Sequence, residues 1–260
     1  MMNNSKLIDL YTKTSKHSQY QVLAKPIKEL ISEHILDIRS RYEKERLDYI
    51  LKHLQCTDVS LVDIGGNTGY FMIELLDRGA KSAQIIEGNK AHSDFVNEAV
   101  NVLGWQNRVQ ICPYYMTFDE DSPPIDVDMT LLLNVLHHVG DDYGNKSQSI
   151  NAAKSSILNS LICLSKQTQY LVFQLGFNWK GDRTLPLFKE GTKKELIDFI
   201  ESGTQDSWTI EHIGVAEKLG NEIIYNEVNS NNIQRQDPLG EFLNRPMFIM
   251  QSKLYSGNIT

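Results

Sequence analysis

Three groups of residues in this chain have the types and spacing that chemistry needs. Asp63 sits in a short apolar run, Leu61-Val62-Asp63-Ile64, and the glycine turn Gly65-Gly66-Asn67-Thr68-Gly69 follows at once. An acid at that place is nearly buried, which is tolerable if it accepts hydrogen bonds from turn amides or from a cationic ligand group. The glycines permit positive φ and let a ligand approach the main chain. Glu87 closes a second apolar run, Ala83-Gln84-Ile85-Ile86, and a carboxylate at a strand end can accept both hydroxyls of a ribose. His137 and His138 follow a longer apolar run and precede Asp141 and Asp142. Histidine is the natural base near neutral pH. The acid pair could orient a histidine or hold a divalent metal, but a solvated pair at a helix start is the favoured reading. With no second cluster at ligand spacing, no metal is expected.

Strand, glycine turn and helix in succession make a nucleotide-type ligand the first expectation, and two common kinds are excluded by spacing. A dinucleotide fingerprint needs a third glycine at the sixth position. Counting from Gly65 places Asn67 and Tyr70 at the required positions, and from Gly66 it places Thr68 and Phe71. A phosphate-binding loop fails as well, because no Gly-Lys-Ser/Thr follows the turn.

The run Asp63-Ile64-Gly65-Gly66-Asn67-Thr68-Gly69 resembles the Asp-x-Gly-x-Gly-x-Gly signature of class I S-adenosylmethionine-dependent methyltransferases. It departs from that signature at Asn67, which replaces the middle glycine and is the side chain best suited to left-handed backbone. The resemblance continues in ordered segments from about Val59 to Leu175. It implies S-adenosyl-L-methionine as cofactor, cradled by Asp63, Gly65, Gly66, Asn67 and Gly69, with its ribose on Glu87. By the same resemblance Tyr115 and Met116 flank the adenine, and an aromatic and a thioether suit a purine face. Asn134 then lines the methionine end, and His138, with His137 second, faces the transferred methyl as base for a hydroxyl acceptor. The bland alternative is that one of the two histidines only packs.

The layout is also faintly similar to methyltransferase domains acting on bacterial surface polysaccharides. That ranks O-methylation of a sugar or glycan phosphate first and another small polar metabolite next. Two readings from other classes stand beside it: a noncatalytic S-adenosylmethionine-binding or scaffolding protein, and a nicotinamide-dependent oxidoreductase, which the missing fingerprint disfavours.

The elements needed to position these residues are those of a Rossmann-like, doubly wound α/β fold. The expected sheet is seven-stranded and mostly parallel with an antiparallel last strand. Residues 1–56 read as an N-terminal helical extension or lid, and residues 57–260 as the methyltransferase domain with a polar insertion at about 217–246. Tyr11, His17 and Tyr20 of the leading segment are candidates to reach the acceptor, a solvated linker being the alternative. Trp179, Lys180 and Arg183, in a loop after the fifth strand, could grip an anionic or sugar-like acceptor. Arg245, at the end of the insertion, is expected to point inward.

Composition fits a soluble globule, and a cytoplasmic location is expected. The 260 residues carry a formal net charge of -7 and 41% apolar side chains. An acidic chain lacks the basic footprint that nonspecific nucleic-acid binding requires, so no nucleic-acid partner is expected. No secretory leader opens the sequence and no run reaches membrane-spanning length. Cys56, Cys112 and Cys163 are scattered, as free structural thiols are in a reducing compartment. Self-association is left open.

Overall fold

Apolar runs alternating with amphipathic helices build the parallel half of a sheet in the computed structural model, which describes residues 5–13, 20–31, 36, 38, 40–119 and 122–257. Three helices lead: α1 (Ser5–Thr12), α2 (Lys25–Leu30) and α3 (Glu43–His53). Then follow β1 (Ser60–Ile64), α4 (Tyr70–Asp77), β2 (Ser82–Ile86), α5 (Lys90–Leu103), β3 (Val109–Cys112), β4 (Val127–Leu133), α6 (Ile150–Leu164), β5 (Thr168–Gln174) and α7 (Lys193–Thr204). The chain closes with β6 (Trp208–Leu219), β7 (Glu222–Glu227), α8 (Gly240–Leu243) and β8 (Met247–Ser252).

Strand order is β3-β2-β1-β4-β5-β8-β6-β7, with β1 to β5 parallel and β8 antiparallel to both β5 and β6. The chain winds outward from β1 on one side and from β4 on the other. The carboxyl ends of β1 and β4 therefore border the crevice where the order reverses, the place at which open α/β sheets take ligands. Alternation along the strands divides the core between the two faces. Leu61, Leu131 and Ile249 belong to the apolar cluster that holds α1 to α5, and Val62, Leu132 and Phe248 to the one that holds α6 and α7.

The sheet has eight strands, which corrects the expected seven. The extra strand is β7, inside the stretch taken for a polar insertion. Leu219 pairs with Glu222 across Gly220-Asn221, and Gly220 sits at φ 62°. A two-residue loop with a positive-φ glycine is a hairpin turn, and the acids at both ends of β7 disguised the strand. The part of that stretch outside the sheet is thus residues 228–246, which carries α8 just before β8. Among the described residues, no helix is long and apolar enough to cross a membrane.

Candidate active site

Central-strand burial and a forced turn place Asp63. It lies at the carboxyl end of β1, 2% exposed, and its Oδ2 has no hydrogen-bond partner among the described residues. Burial, with help from the charge of Glu87, pushes its carboxyl up to about 7, against the opposing influence of the Met72 amide and the Arg46 guanidinium. The turn that follows leaves no space for side chains. A Cβ on Gly65, at φ 68°, would stand 2.5 Å from Val135 Cγ2, and one on Gly66 would stand 2.7 Å from Ile85 Cδ1 and 2.8 Å from the Asp63 carboxylate. Asn67 takes the left-handed conformation expected of it, at φ 54°. Gly69 is the residue before α4 and faces away from the cleft, so it shapes the turn without lining the site.

Glu87 follows β2 on the neighbouring strand tip. Its Oε2 accepts the Asn67 amide at 2.8 Å and its Oε1 the Asn89 amide at 2.7 Å. The strand-tip acid thus braces the glycine turn itself. Burial pushes its carboxyl up to about 7 even though both amides favour the charged form.

These acids form one wall of a cleft of about 530 Å³ that collects most of the residues singled out from the sequence. Asp63, Gly65, Gly66, Asn67, Glu87, Tyr115, Met116, Asn134, His137, His138, Tyr20, Lys180 and Arg245 all line it. The ring of Tyr115 lies over Gly88 so closely that a Cβ there would be 2.3 Å from it. Met116 is buried beside it.

The histidines occupy a single helical turn of 3-10 type, Leu136–His138, directly after β4. His137 is buried, and its Nδ1 accepts the Gly176 amide at 3.3 Å, which makes it part of the floor. His138 stacks on it with ring centroids 4.2 Å apart, and its Nδ1 lies 3.5 Å from Asp142 Oδ2. Asp142 is part-buried in the cleft wall, so of the readings offered for the acid pair the geometry favours orientation of a histidine. Asp141 joins His138 and Asp142 in a group of ligand-type atoms within 4.8 Å of one another, an arrangement with the donors for a cation.

Three expected contacts are not brought to the cleft, and a fourth, His17, is not among the described residues. The Trp179 indole is buried and donates to the Val139 carbonyl at 2.6 Å, because its N–H needs a partner once the ring is inside. Arg183 is exposed and does not line the cleft. Tyr11 is buried against Phe95, and its hydroxyl donates to the Gln21 carbonyl at 2.8 Å.

Three side chains in or behind the cleft wall make contacts that the sequence does not announce. Gln21 Oε1 accepts from the Thr68 hydroxyl at 2.8 Å and the Tyr70 amide at 3.1 Å, which ties the N-terminal segment to the glycine turn. Arg46 on α3 is 3% exposed, lies 4.0 Å from Glu43, and has an Nε with no partner among the described residues. Its signal was present: Glu43, Arg46, Leu47 and Ile50 fall on one helical stripe, so two charges share the face that the apolar residues bury. The Gln174 amide spans two cleft residues. Its Oε1 accepts from Asn134 Nδ2 at 2.9 Å and its Nε2 donates to the Arg245 carbonyl at 3.0 Å. Arg245 in turn donates to Asn134 Oδ1 at 2.7 Å and is held by Glu241, so the stretch before β8 does return over the strand ends with Arg245 inward.

No family model and no curated relative matches the sequence. Solved structures do match in fold. PH1948 from Pyrococcus horikoshii, a candidate RNA methyltransferase by name, superposes at TM-score 0.50 and 13% identity over 98% of this chain and 99% of its own. The bifunctional kinase-methyltransferase WbdD superposes at TM-score 0.56 and 12% identity over 94% of this chain and 46% of its own. A WbdD co-crystal with a kinase inhibitor gives TM-score 0.58 and 14% identity, over 94% and 47%. The chain thus spans about half the length of WbdD, and it has the fold that these methyltransferases share.

Proposed function

We propose that this chain is an S-adenosyl-L-methionine-dependent methyltransferase that methylates an oxygen of a small polar acceptor, a sugar or glycan phosphate before other metabolites. The observation that carries the reading is the charge pattern at the strand crossover. A buried carboxylate with an unsatisfied oxygen, Asp63, faces a buried guanidinium with an unsatisfied nitrogen, Arg46, across one cleft. Buried polar atoms without partners are costly, and a zwitterionic ligand relieves both at once.

The cofactor supplies a methyl group made electrophilic by the attached sulfonium. Asp63 and Arg46 are suited to the amino and carboxylate groups of its methionine end. Glu87 has lone pairs left for ribose hydroxyls after accepting two amides, and Tyr115 and Met116 offer flat, polarisable surface for adenine. Asn134 is fixed by Gln174 and Arg245, so the wall beside the methionine end holds its shape. His138, with Nδ1 3.5 Å from Asp142 Oδ2, keeps Nε2 as the basic nitrogen and takes the acceptor hydroxyl proton there as that oxygen attacks. Tyr20, Lys180 and Arg245, with Arg41 stacked 4.8 Å over Tyr20, give the acceptor side cationic and aromatic groups together. The name of PH1948 raises RNA as an acceptor, and the net charge of -7 is the argument against it.

Calorimetry with S-adenosylmethionine and its demethylated product tests the reading. Binding of both is expected, with Asp63→Ala or Glu87→Ala weakening it at least about tenfold, roughly 1.4 kcal/mol. No binding to the native chain, or unchanged affinity in both variants, refutes it. A radiolabel-transfer screen over sugar phosphates, neutral sugars and tRNA then selects the acceptor, and transfer to tRNA alone overturns the proposed class.

A further inference from the structure

A second cluster of donor atoms lies away from the cleft, where α3 meets the hairpin of β6 and β7. His53 is the last residue of α3, His212 stands at a break in the register of β6, and Glu227 ends β7. An imidazole nitrogen of each histidine and a carboxylate oxygen of Glu227 lie within 4.8 Å of one another. The His53 and His212 rings lie with centroids 3.9 Å apart and planes tilted by 41°, and His212 Nδ1 is 3.3 Å from Glu227 Oε2.

We propose that His53, His212 and Glu227 form a divalent transition-metal site of zinc type, with water as fourth ligand, clasping α3 to the β6–β7 hairpin. Donor chemistry supports it, since two imidazoles and a carboxylate are a set that zinc accepts. Spacing supports it as well. Two ligands, each about 2.0–2.1 Å from a tetrahedral zinc, stand roughly 3.3 Å apart, the separation found between His212 and Glu227.

Two further observations separate the cluster from an ordinary surface ion pair. His53 Nε2 is buried and has no hydrogen-bond partner among the described residues, a cost that a bound cation removes. Glu227 is also held in place by groups behind it, as ligating carboxylates usually are. Its Oε2 accepts the Tyr49 hydroxyl at 2.9 Å and its Oε1 the Ile213 amide at 3.0 Å. Because the three donors come from three separate elements, occupancy joins parts of the chain distant in sequence. The metal would therefore act on stability first, independently of what the cleft binds.

The test is a titration of the chelator-treated full chain with zinc chloride, read by competition with a chromophoric chelator and by thermal melting. The expected result is a dissociation constant of about 1 µM or tighter and a melting temperature that rises with zinc. His53→Ala and His212→Gln should each weaken binding at least about tenfold and abolish the thermal gain. Asp141→Asn, in the other donor group, should change neither. If His53→Ala does not fold, His212→Gln, at a half-buried position on β6, decides. Native binding weaker than about 10 µM, or equal affinity and equal thermal gain in His212→Gln, overturns the proposal.

Discussion

Two carboxyls held near neutrality at the same crossover give Asp63 and Glu87 a defined pH signature. Both are pushed up to about 7 from ordinary carboxylate values by burial. Between the unfolded value near 4 and the folded value near 7, the native chain holds protons that the unfolded chain has released, so native stability falls as pH rises through that window. Affinity for a cationic ligand changes in the opposite sense, because the ionised pair attracts it. Melting of the free chain from pH 5 to 8 should show the decline, and titration of S-adenosylmethionine over the same range should show tightening. Asp63→Asn should flatten both curves, and an unaltered slope would dissociate the acid from either effect. His138 and Asp142 make a separate claim on turnover. His138→Ala should lower it by about 10²–10⁴ and Asp142→Asn by a smaller factor, each with cofactor affinity nearly intact. Stopped assays at saturating cofactor distinguish these from binding defects.

Helix α3 is the element whose contribution is hardest to infer from sequence alone. Its run Glu43-Lys44-Glu45-Arg46-Leu47-Asp48 has the look of a solvated charged surface. Yet Glu43 and Arg46 are both buried at the cleft, and Arg46 lies 5.0 Å from the ring centroid of Phe71 and 5.2 Å from that of Phe242. Burial raises the Glu43 carboxyl and lowers the Arg46 guanidinium, each partly offset by the other's charge. Removing one member of such a pair strands the other, at a cost of about 3–5 kcal/mol when the remaining charge persists. Glu43 can escape part of that cost by taking up a proton. Arg46→Met should therefore lose more stability at pH 8 than at pH 5 in denaturant titrations, while weakening cofactor binding at both. Equal losses at the two pH values would mean that Glu43 does not respond to Arg46. By contrast, β1, β2, β4 and β5 were plain from their apolar runs, since strands buried on both faces need little else to declare themselves.

At the scale of the molecule, the α/β winding and the cleft wall at the strand crossover were legible because one feature, the strand-to-glycine-turn, positions both. The opposite side of the cleft was legible only in part. Lys180 and Arg245 reach the cleft, whereas the neighbours Trp179 and Arg183 do not, because a loop after a strand has no fixed period from which side-chain direction can be read. Gln21 and Gln174 were missed for a related reason: an amide side chain announces neither charge nor apolar stripe, and its role exists only once distant elements meet. Strand β7 was missed although its Gly220-Asn221 turn was a usable sign.

The Gln21 side chain has a consequence for how the molecule responds to its ligand. It caps the first amide of α4 and the Thr68 hydroxyl, so the backbone entering α2 and the crossover turn share hydrogen bonds. Any compound that tightens the turn must also tighten that leading segment, and by thermodynamic reciprocity a grip on the segment from outside must be felt as changed affinity at the turn.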